Sequence, residues 1–225
     1  MTAFDMDAAR SDILGSDFIG AFCSATERII LAPARIKPDE LKIFESTLRA
    51  KPILATIGES DLIGMLCRAN SNGLIMSNLA TEREVEIMKE NTEMNVLRLK
   101  SRLNAIGSNI LANDKIAIIN PDYSNDELKE IADVLGVETI KPHLTDFKTL
   151  GANNILTNSG MVVNNRCTDS EKSALEHATG FQTTRSTAAT GVLSIGLAVV
   201  ANSKGIVAGN TTSGFELSRI INALE

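Results

Sequence analysis

The sequence predicts an α/β protein built as a radial array of five strand–strand–helix–strand units. Three observations predict it. A glycine preceded by an aliphatic residue recurs at Gly20, Gly64, Gly107, Gly151 and Gly196, at spacings of 44, 43, 44 and 45 residues. A helix capping box, Ser or Thr followed three residues later by Glu, recurs 17 residues after four of these glycines, at Thr81/Glu84, Ser124/Glu127, Thr168/Glu171 and Ser213/Glu216. The fifth unit lacks a third strand, and a segment at about residues 9–14 precedes the first glycine and can supply it. A period of this length with a borrowed strand points to a closed, propeller-like ring instead of an open solenoid. Closure also hides strand edges that would otherwise pair with other chains.

Each unit reads in the same order. An apolar strand follows the glycine: Met65-Leu66-Cys67, Ile110-Leu111, Ile155-Leu156 and Ala198-Val199-Val200. A polar turn comes next, at Asn70-Ser71-Asn72-Gly73, Asn113-Asp114, Asn158-Ser159-Gly160 and Asn202-Ser203-Lys204-Gly205. Asn, Asp and Gly tolerate the positive φ of tight hairpins. A second strand follows at Leu74-Ile75-Met76, residues 116–119, Met161-Val162-Val163 and Ile206-Val207. The capped helix then carries apolar residues at helical spacing, such as Val85/Met88 and Leu128/Ile131/Ala132/Leu135. A third strand ends the unit at residues 96–99, 137–140 and 182–186. In the first unit the cap position is Lys37, but Pro38 suits a first helical turn and Glu40 keeps the acid. The last helix is expected at about residues 215–224. No Pro/Gly/Ser tract divides the chain, so residues 1–225 read as a single domain.

Composition narrows the function. The 225 residues carry a net charge of −6 and 44% hydrophobic residues, enough for a packed core. No apolar run approaches the roughly 20 residues of a membrane helix. The acidic start, MTAFDMDAARSD, has no apolar segment of a secretory signal. Three Cys without a CxxC pair disfavour a disulfide framework or thiolate zinc site and suit a reducing cytoplasm. With no Trp and a single Tyr, Tyr123, stacking on single-stranded nucleic acid is disfavoured, and the acidic charge argues against a broad phosphate-binding surface.

Residues with reactive chemistry read mostly as structural. His143, near Asp146, and His177 have no metal-ligand spacing. Cys23 and Cys67 stand three residues after their glycines, where the third unit has Ile110 and the fourth Asn154, so they read as buried thiols. Cys167 precedes a helix cap, which can lower a thiol pKa, but has no base nearby. The five glycines form no phosphate loop and read as points of close backbone approach. Asn70, Asn113, Asn158 and Asn202 read as turn formers, or as a ring of polar loops on one end.

Several stretches resemble one known family. Residues 62–74, residues 102–122 (RLNAIGSNILANDKIAIINPD), residues 132–137 (ADVLGV), Thr157-Asn158-Ser159-Gly160, residues 201–205 and residues 211–218 (TTSGFELS) are similar to archaeal and eukaryotic translation initiation factor 6. The resemblance runs from about residue 9 to 224. The chain stops just after the fifth helix, which suits the archaeal type. The resemblance implies a pentein fold, a fivefold pseudosymmetric α/β propeller. It implies a non-enzymatic protein without cofactors; closure leaves no free strand edge, so a monomer is expected, in the reducing cytoplasm that the cysteines suit. Such a factor binds the large ribosomal subunit near the sarcin–ricin loop, mainly through a ribosomal protein with limited rRNA contact, and sterically blocks joining of the small subunit. An acidic protein suits the basic surface of a ribosomal protein. Release by an SBDS-type protein with a GTPase is implied as well. The interface candidates carried over are Gly64, Met65, Asn70, Ser71, Asn72, Gly107, Ser108 and Asn113. Ser108 stands where Asn is usual, Ser71 and Ser159 where a base is common, and Ala189-Thr190-Gly191 replaces an Asn-base-Gly; Lys115 and Lys204 remain. Two other readings are a ring that binds some non-ribosomal protein and a pentein enzyme acting on guanidinium groups. The enzyme reading needs a nucleophilic Cys in the last unit, and no Cys follows Cys167.

Overall fold

The computed structural model describes residues 6–142 and 148–225. It is a mixed α/β structure with five three-stranded sheets. The chain opens with β1 (Asp7–Ser11). Unit 1 holds α1 (Ile19–Phe22), β2 (Ser24–Ala25), β3 (Ile29–Pro33), α2 (Pro38–Leu48) and β4 (Lys51–Ala55). Unit 2 holds α3 (Ile63–Leu66), β5 (Cys67–Ala69), β6 (Gly73–Met76), α4 (Glu82–Asn91) and β7 (Asn95–Arg98). Unit 3 holds α5 (Ile106–Asn109), β8 (Ile110–Ala112), β9 (Ile116–Ile119), α6 (Asn125–Leu135) and β10 (Glu138–Ile140). Unit 4 holds α7 (Leu150–Asn153), β11 (Ile155–Leu156), β12 (Met161–Asn164), α8 (Asp169–Thr179) and β13 (Thr183–Ser186). Unit 5 holds α9 (Ile195–Ala198), β14 (Val199–Ala201), β15 (Gly205–Gly209) and α10 (Gly214–Leu224).

Within each sheet the first two strands are antiparallel and the third lies parallel to the middle one. In units 1 to 4 the crossover between the parallel strands is the helix that follows the middle strand, as a parallel connection requires. In unit 5 the missing third strand is β1, which pairs parallel with β15 from Asp7↔Gly205 to Ser11↔Gly209. The expected segment at 9–14 is therefore shifted. The strand starts two residues earlier, and Leu14 and Gly15 have positive φ in the turn that follows. A second difference lies just after each glycine. The sequence reads Met65-Leu66 as strand, but Ile63–Leu66 is one helical turn and the strand begins at Cys67. The other units start the same way.

The turn explains the glycines. A Cβ on Gly64 would lie 2.1 Å from the Gly20 carbonyl oxygen, on Gly107 1.9 Å from that of Gly64, on Gly151 2.0 Å from that of Gly107, on Gly196 2.1 Å from that of Gly151, and on Gly20 2.2 Å from that of Gly196. No side chain fits at such distances, so Gly is required by the approach of one backbone to the next. Five apolar clusters follow the same order, each drawing on two neighbouring units. Phe44, Leu48 and Ile30 of unit 1 pack with Val200 and Val207 of unit 5, for example, and Ile155 and Val162 of unit 4 with Ile195, Ile220 and Leu224 of unit 5. Burying side chains of this size stabilises by roughly 1.5–3 kcal/mol each, so no unit can complete its core alone.

Candidate functional site

The units have two chemically different ends. The hairpins between first and second strands share one end with the helix C-termini, as bonds from Asn70 and Asn72 to the Leu135 carbonyl show. The capping boxes and the turns leading to the next glycine share the other, as Glu84 shows by accepting from both Thr81 and Gly58.

At the hairpin end the asparagines work through their side chains. Asn70 Oδ1 accepts from the backbone N–H groups of Asn72 and Gly73 at 3.0 Å, while its Nδ2 donates to the carbonyls of Asn113 at 3.1 Å and Leu135 at 2.8 Å. Asn113 accepts from Lys115 and Ile116 and donates to the Thr157 carbonyl. Asn202 accepts from Lys204 and Gly205 and donates to the carbonyls of Thr26 and Leu48. One amide thus closes its own turn and grips the next unit. None of the residues of these hairpins has a positive φ. The expectation that Asn serves there by tolerating left-handed backbone gives way to this hydrogen-bonding role. In unit 4 the same place, six residues after the glycine, belongs to Thr157 and not Asn158. Thr157 Oγ1 accepts from Ser159 and Gly160, and Thr26 does the same for Arg28 and Ile29. A hydroxyl closes the turn but makes no bond onward.

The next residue adds a second layer. Ser71 donates its backbone N–H and its hydroxyl to Asp114, at 2.7 and 2.8 Å. Asn158 donates to Asp114 and accepts from the Asp114 N–H. Ser203 donates to Glu27 twice. Ser71 therefore already spends its hydrogen bonds on the neighbouring unit, and Asn72 beside it is exposed.

At the other end the capping-box carboxylates are gathered in, Glu84 and Glu216 most clearly. Glu84 is buried, accepts from the Thr56 hydroxyl and from the N–H groups of Gly58, Glu59 and Thr81. Burial opposes its ionisation, but these donors outweigh it and bring its pKa down to about 2. Glu216 repeats this with Thr187, Thr190, Gly191 and Ser213, and is also lowered to about 2 against the cost of burial. The cap residues Thr81, Ser124, Thr168 and Ser213 all accept from their N3 amides. Lys37 does not, although Glu40 accepts from its N–H at 3.4 Å.

The eight residues proposed from the sequence do not form one patch. Gly64, Gly107 and Ser108 are buried in the one-turn helices, Asn70 and Asn113 are buried in the hairpins, Met65 and Ser71 are half-buried, and Asn72 is exposed. Features that the sequence reading missed lie two residues before the glycines. Phe18 and Leu62 hold equivalent places in adjoining units and are exposed at 42% and 37%. The only signal for them is the repeat register itself.

Cys23 and Cys67 are buried as expected, and Cys167 is buried too. Burial pushes Cys23 up, Cys67 up to about 12 and Cys167 up to about 11, the reverse of an activated nucleophile. His177 is exposed in the last turn of α8, while His143 and Asp146 lie outside the described residues. Among the described residues, no group of three or more His, Cys, Asp or Glu could hold a metal ion, and no helix is long and apolar enough to cross a membrane.

Comparison with known proteins decides the family. Residues 8–223 match the model of the eIF-6 family. The chain belongs to that family. Relatives include translation initiation factor 6 of Methanosarcina mazei, 37% identical over 95% of this chain and 96% of that protein. That of Picrophilus torridus is 34% identical over 94% and 97%, and that of Pyrococcus abyssi 31% identical over 97% and 99%. Among solved structures, a dimethylarginine dimethylaminohydrolase matches at TM-score 0.44 and 11% identity, covering 86% of this chain and 79% of its own. A likeness that distant decides nothing about the chemistry of this eIF-6 family member.

Proposed function

We propose that this chain is a closed pentein ring, one domain over its length, that binds the large ribosomal subunit and sterically prevents the small subunit from joining. The observation that carries the reading is the family match across residues 8–223, with relatives named translation initiation factor 6 aligned over nearly their whole length. The ring closure is supported by the β1–β15 register and by the approach of Gly20 to Gly196. The action is non-enzymatic and cytoplasmic, on a monomer. The main partner is a ribosomal protein near the sarcin–ricin loop, with limited rRNA contact, and an SBDS-type protein with a GTPase releases the factor.

The interface candidates differ in exposure, which suggests a division of roles. Met65, Ser71 and Asn72 have surface to offer a partner. Gly64, Asn70, Gly107, Ser108 and Asn113 are buried and act by holding those surfaces in place. Exposed Phe18 and Leu62 add an apolar component beside Met65, and such anchors suit a protein partner.

Sedimentation of the protein with purified archaeal subunits on sucrose gradients tests the reading. Comigration with the large subunit, weakly dependent on salt, is expected, because a protein-mediated contact releases few phosphate counterions. Absence from the large-subunit fraction at both low and moderate salt contradicts it.

A further inference from the structure

Units 1 to 5 present the residue four places after each glycine to an axial cavity: Ser24, Arg68, Leu111, Ile155 and Val200. Three of these are aliphatic and buried. Arg68 is the exception, a guanidinium where the repeat otherwise places apolar or small side chains. It lies on β5 between Cys67 and Ala69, which face the apolar core, so strand alternation turns Arg68 the other way, toward the axis.

The charge there is poorly compensated. Arg68 Nη2 donates to the Gly107 carbonyl. Its Nε is buried and has no hydrogen-bond partner, and among the described residues Arg68 makes no ion pair. The adjoining Cys67 thiol, raised to about 12 by burial, stays neutral and cannot balance it. Burial likewise disfavours the charged guanidinium and lowers its pKa, yet an Arg remains protonated in proteins. The Ser24 hydroxyl lines the same cavity, and it too is buried without a partner. A half-buried cation with a buried, unused Nε–H and a nearby unused hydroxyl offers its donors to an acceptor that carries negative charge. The cavity measures about 50 Å³. A water needs roughly 10–15 Å³ of such space, so the cavity has room for a monatomic ion with a few waters.

We propose that the axial cavity is a binding site for a single halide ion, chloride in solution, held by Arg68 with the Ser24 hydroxyl as a second donor. The ion is the counter-charge that lets a guanidinium occupy the axis of the ring. It binds the folded state only, so it stabilises that state by mass action.

Two measurements on the full chain test this. Crystals soaked in bromide should show an anomalous peak within hydrogen-bonding distance of Arg68 Nε. In solution, replacing sodium gluconate by sodium chloride or bromide at equal ionic strength should raise Tm by about 2–4 °C. Arg68→Met should lose both the peak and the halide-specific rise, and it is expected to fold because Leu, Ile and Val fill the equivalent place in other units. A wild-type Tm identical in gluconate and chloride overturns the proposal. So does a halide response unchanged in Arg68→Met, or soaked crystals without a peak at Arg68. Should Arg68→Met fail to fold, the wild-type peak and Tm comparison decide alone.

Discussion

At the hairpin end, the five junctions between neighbouring units fall into two kinds. At the junctions of units 2 with 3, 3 with 4, and 5 with 1, an asparagine amide crosses to the next unit: Asn70 to Asn113, Asn113 to Thr157, Asn202 to Thr26. At the junctions of units 1 with 2 and 4 with 5, the residue in that place is Thr26 or Thr157, which serves only its own turn. At those two junctions Glu84 and Glu216 bind the connecting turn at the opposite end, and Glu127 likewise reaches Ser101 in the turn between units 2 and 3. The turns that Glu84 and Glu216 bind are alike, with positive φ at Gly58 and Glu59 in one and at Ala189, Thr190 and Gly191 in the other. A surface groove lined by Arg28, Lys51 and Ser71 opens at the junction of units 1 with 2, and another, lined by Arg49, Ser159 and Lys204, runs across units 4, 5 and 1. Over the same apolar packing, one repeat therefore holds its neighbour by polar devices at both ends, and the amide lace is the one that varies from junction to junction.

The largest expected effect comes from removing a lace. Asn202→Ala strands the Thr26 and Leu48 carbonyls and the Lys204 and Gly205 amides in a buried place. It should cost about 2–4 kcal/mol in urea unfolding. Asn202→Thr should cost less, because Thr26 and Thr157 do half the work at the same position. Equal losses in the two variants would break the distinction between the junctions.

Next come the carboxylates. Glu84→Gln should cost about 1.5–3 kcal/mol at pH 7. Its pH dependence is specific. The folded pKa of about 2 lies below the unfolded value near 4.3. The stabilisation is thus complete above the unfolded value and is lost as pH falls through about 2. A stability-versus-pH profile should flatten over that window in Glu84→Gln and again in Glu216→Gln. An unchanged acid limb in both would show that these groups do not differ between folded and unfolded chains.

A third comparison separates buried from exposed candidates. Ser108 is buried and its hydroxyl has no partner, so Ser108→Asp should lower Tm clearly. Asn72→Asp, at an exposed place, gives up one bond to the Leu135 carbonyl and should lower Tm less than Ser108→Asp does while weakening binding to the large subunit. Similar Tm losses in both would make Asn72 structural. The smallest effect sharpens the contrast. Thr157→Asn offers unit 4 the missing amide and should add about 0.5–1 kcal/mol, read as a higher urea midpoint.

Much of this was legible in the sequence because the repeat writes each feature several times. The glycines and capping boxes share one offset, so the helices from Pro38, Glu82, Asn125, Asp169 and Gly214 stand where expected. The strand that completes unit 5 was legible from the element missing there, but not its register, since Asp7-Ala8-Ala9-Arg10-Ser11 carries little apolar pattern. The helical turn at Met65-Leu66 was hidden because an apolar run of three or four residues suits strand and helix alike. The site was less legible than the fold. Burial of Ser108, Asn70 and Asn113 follows from contacts some 40 residues away in sequence, such as Asn70 to Asn113. Arg68 had no motif, and only alignment of the five units against one another shows it to be out of place.

The most direct test of the account is light scattering from purified archaeal large and small subunits mixed with this protein. Pre-incubation with the large subunit should reduce joined ribosomes in proportion to the protein added, saturating near one per large subunit. Pre-incubation with the small subunit alone should act no faster than simultaneous mixing. Joining that proceeds unchanged at saturating protein would contradict the anti-association function, whatever the fate of the fold.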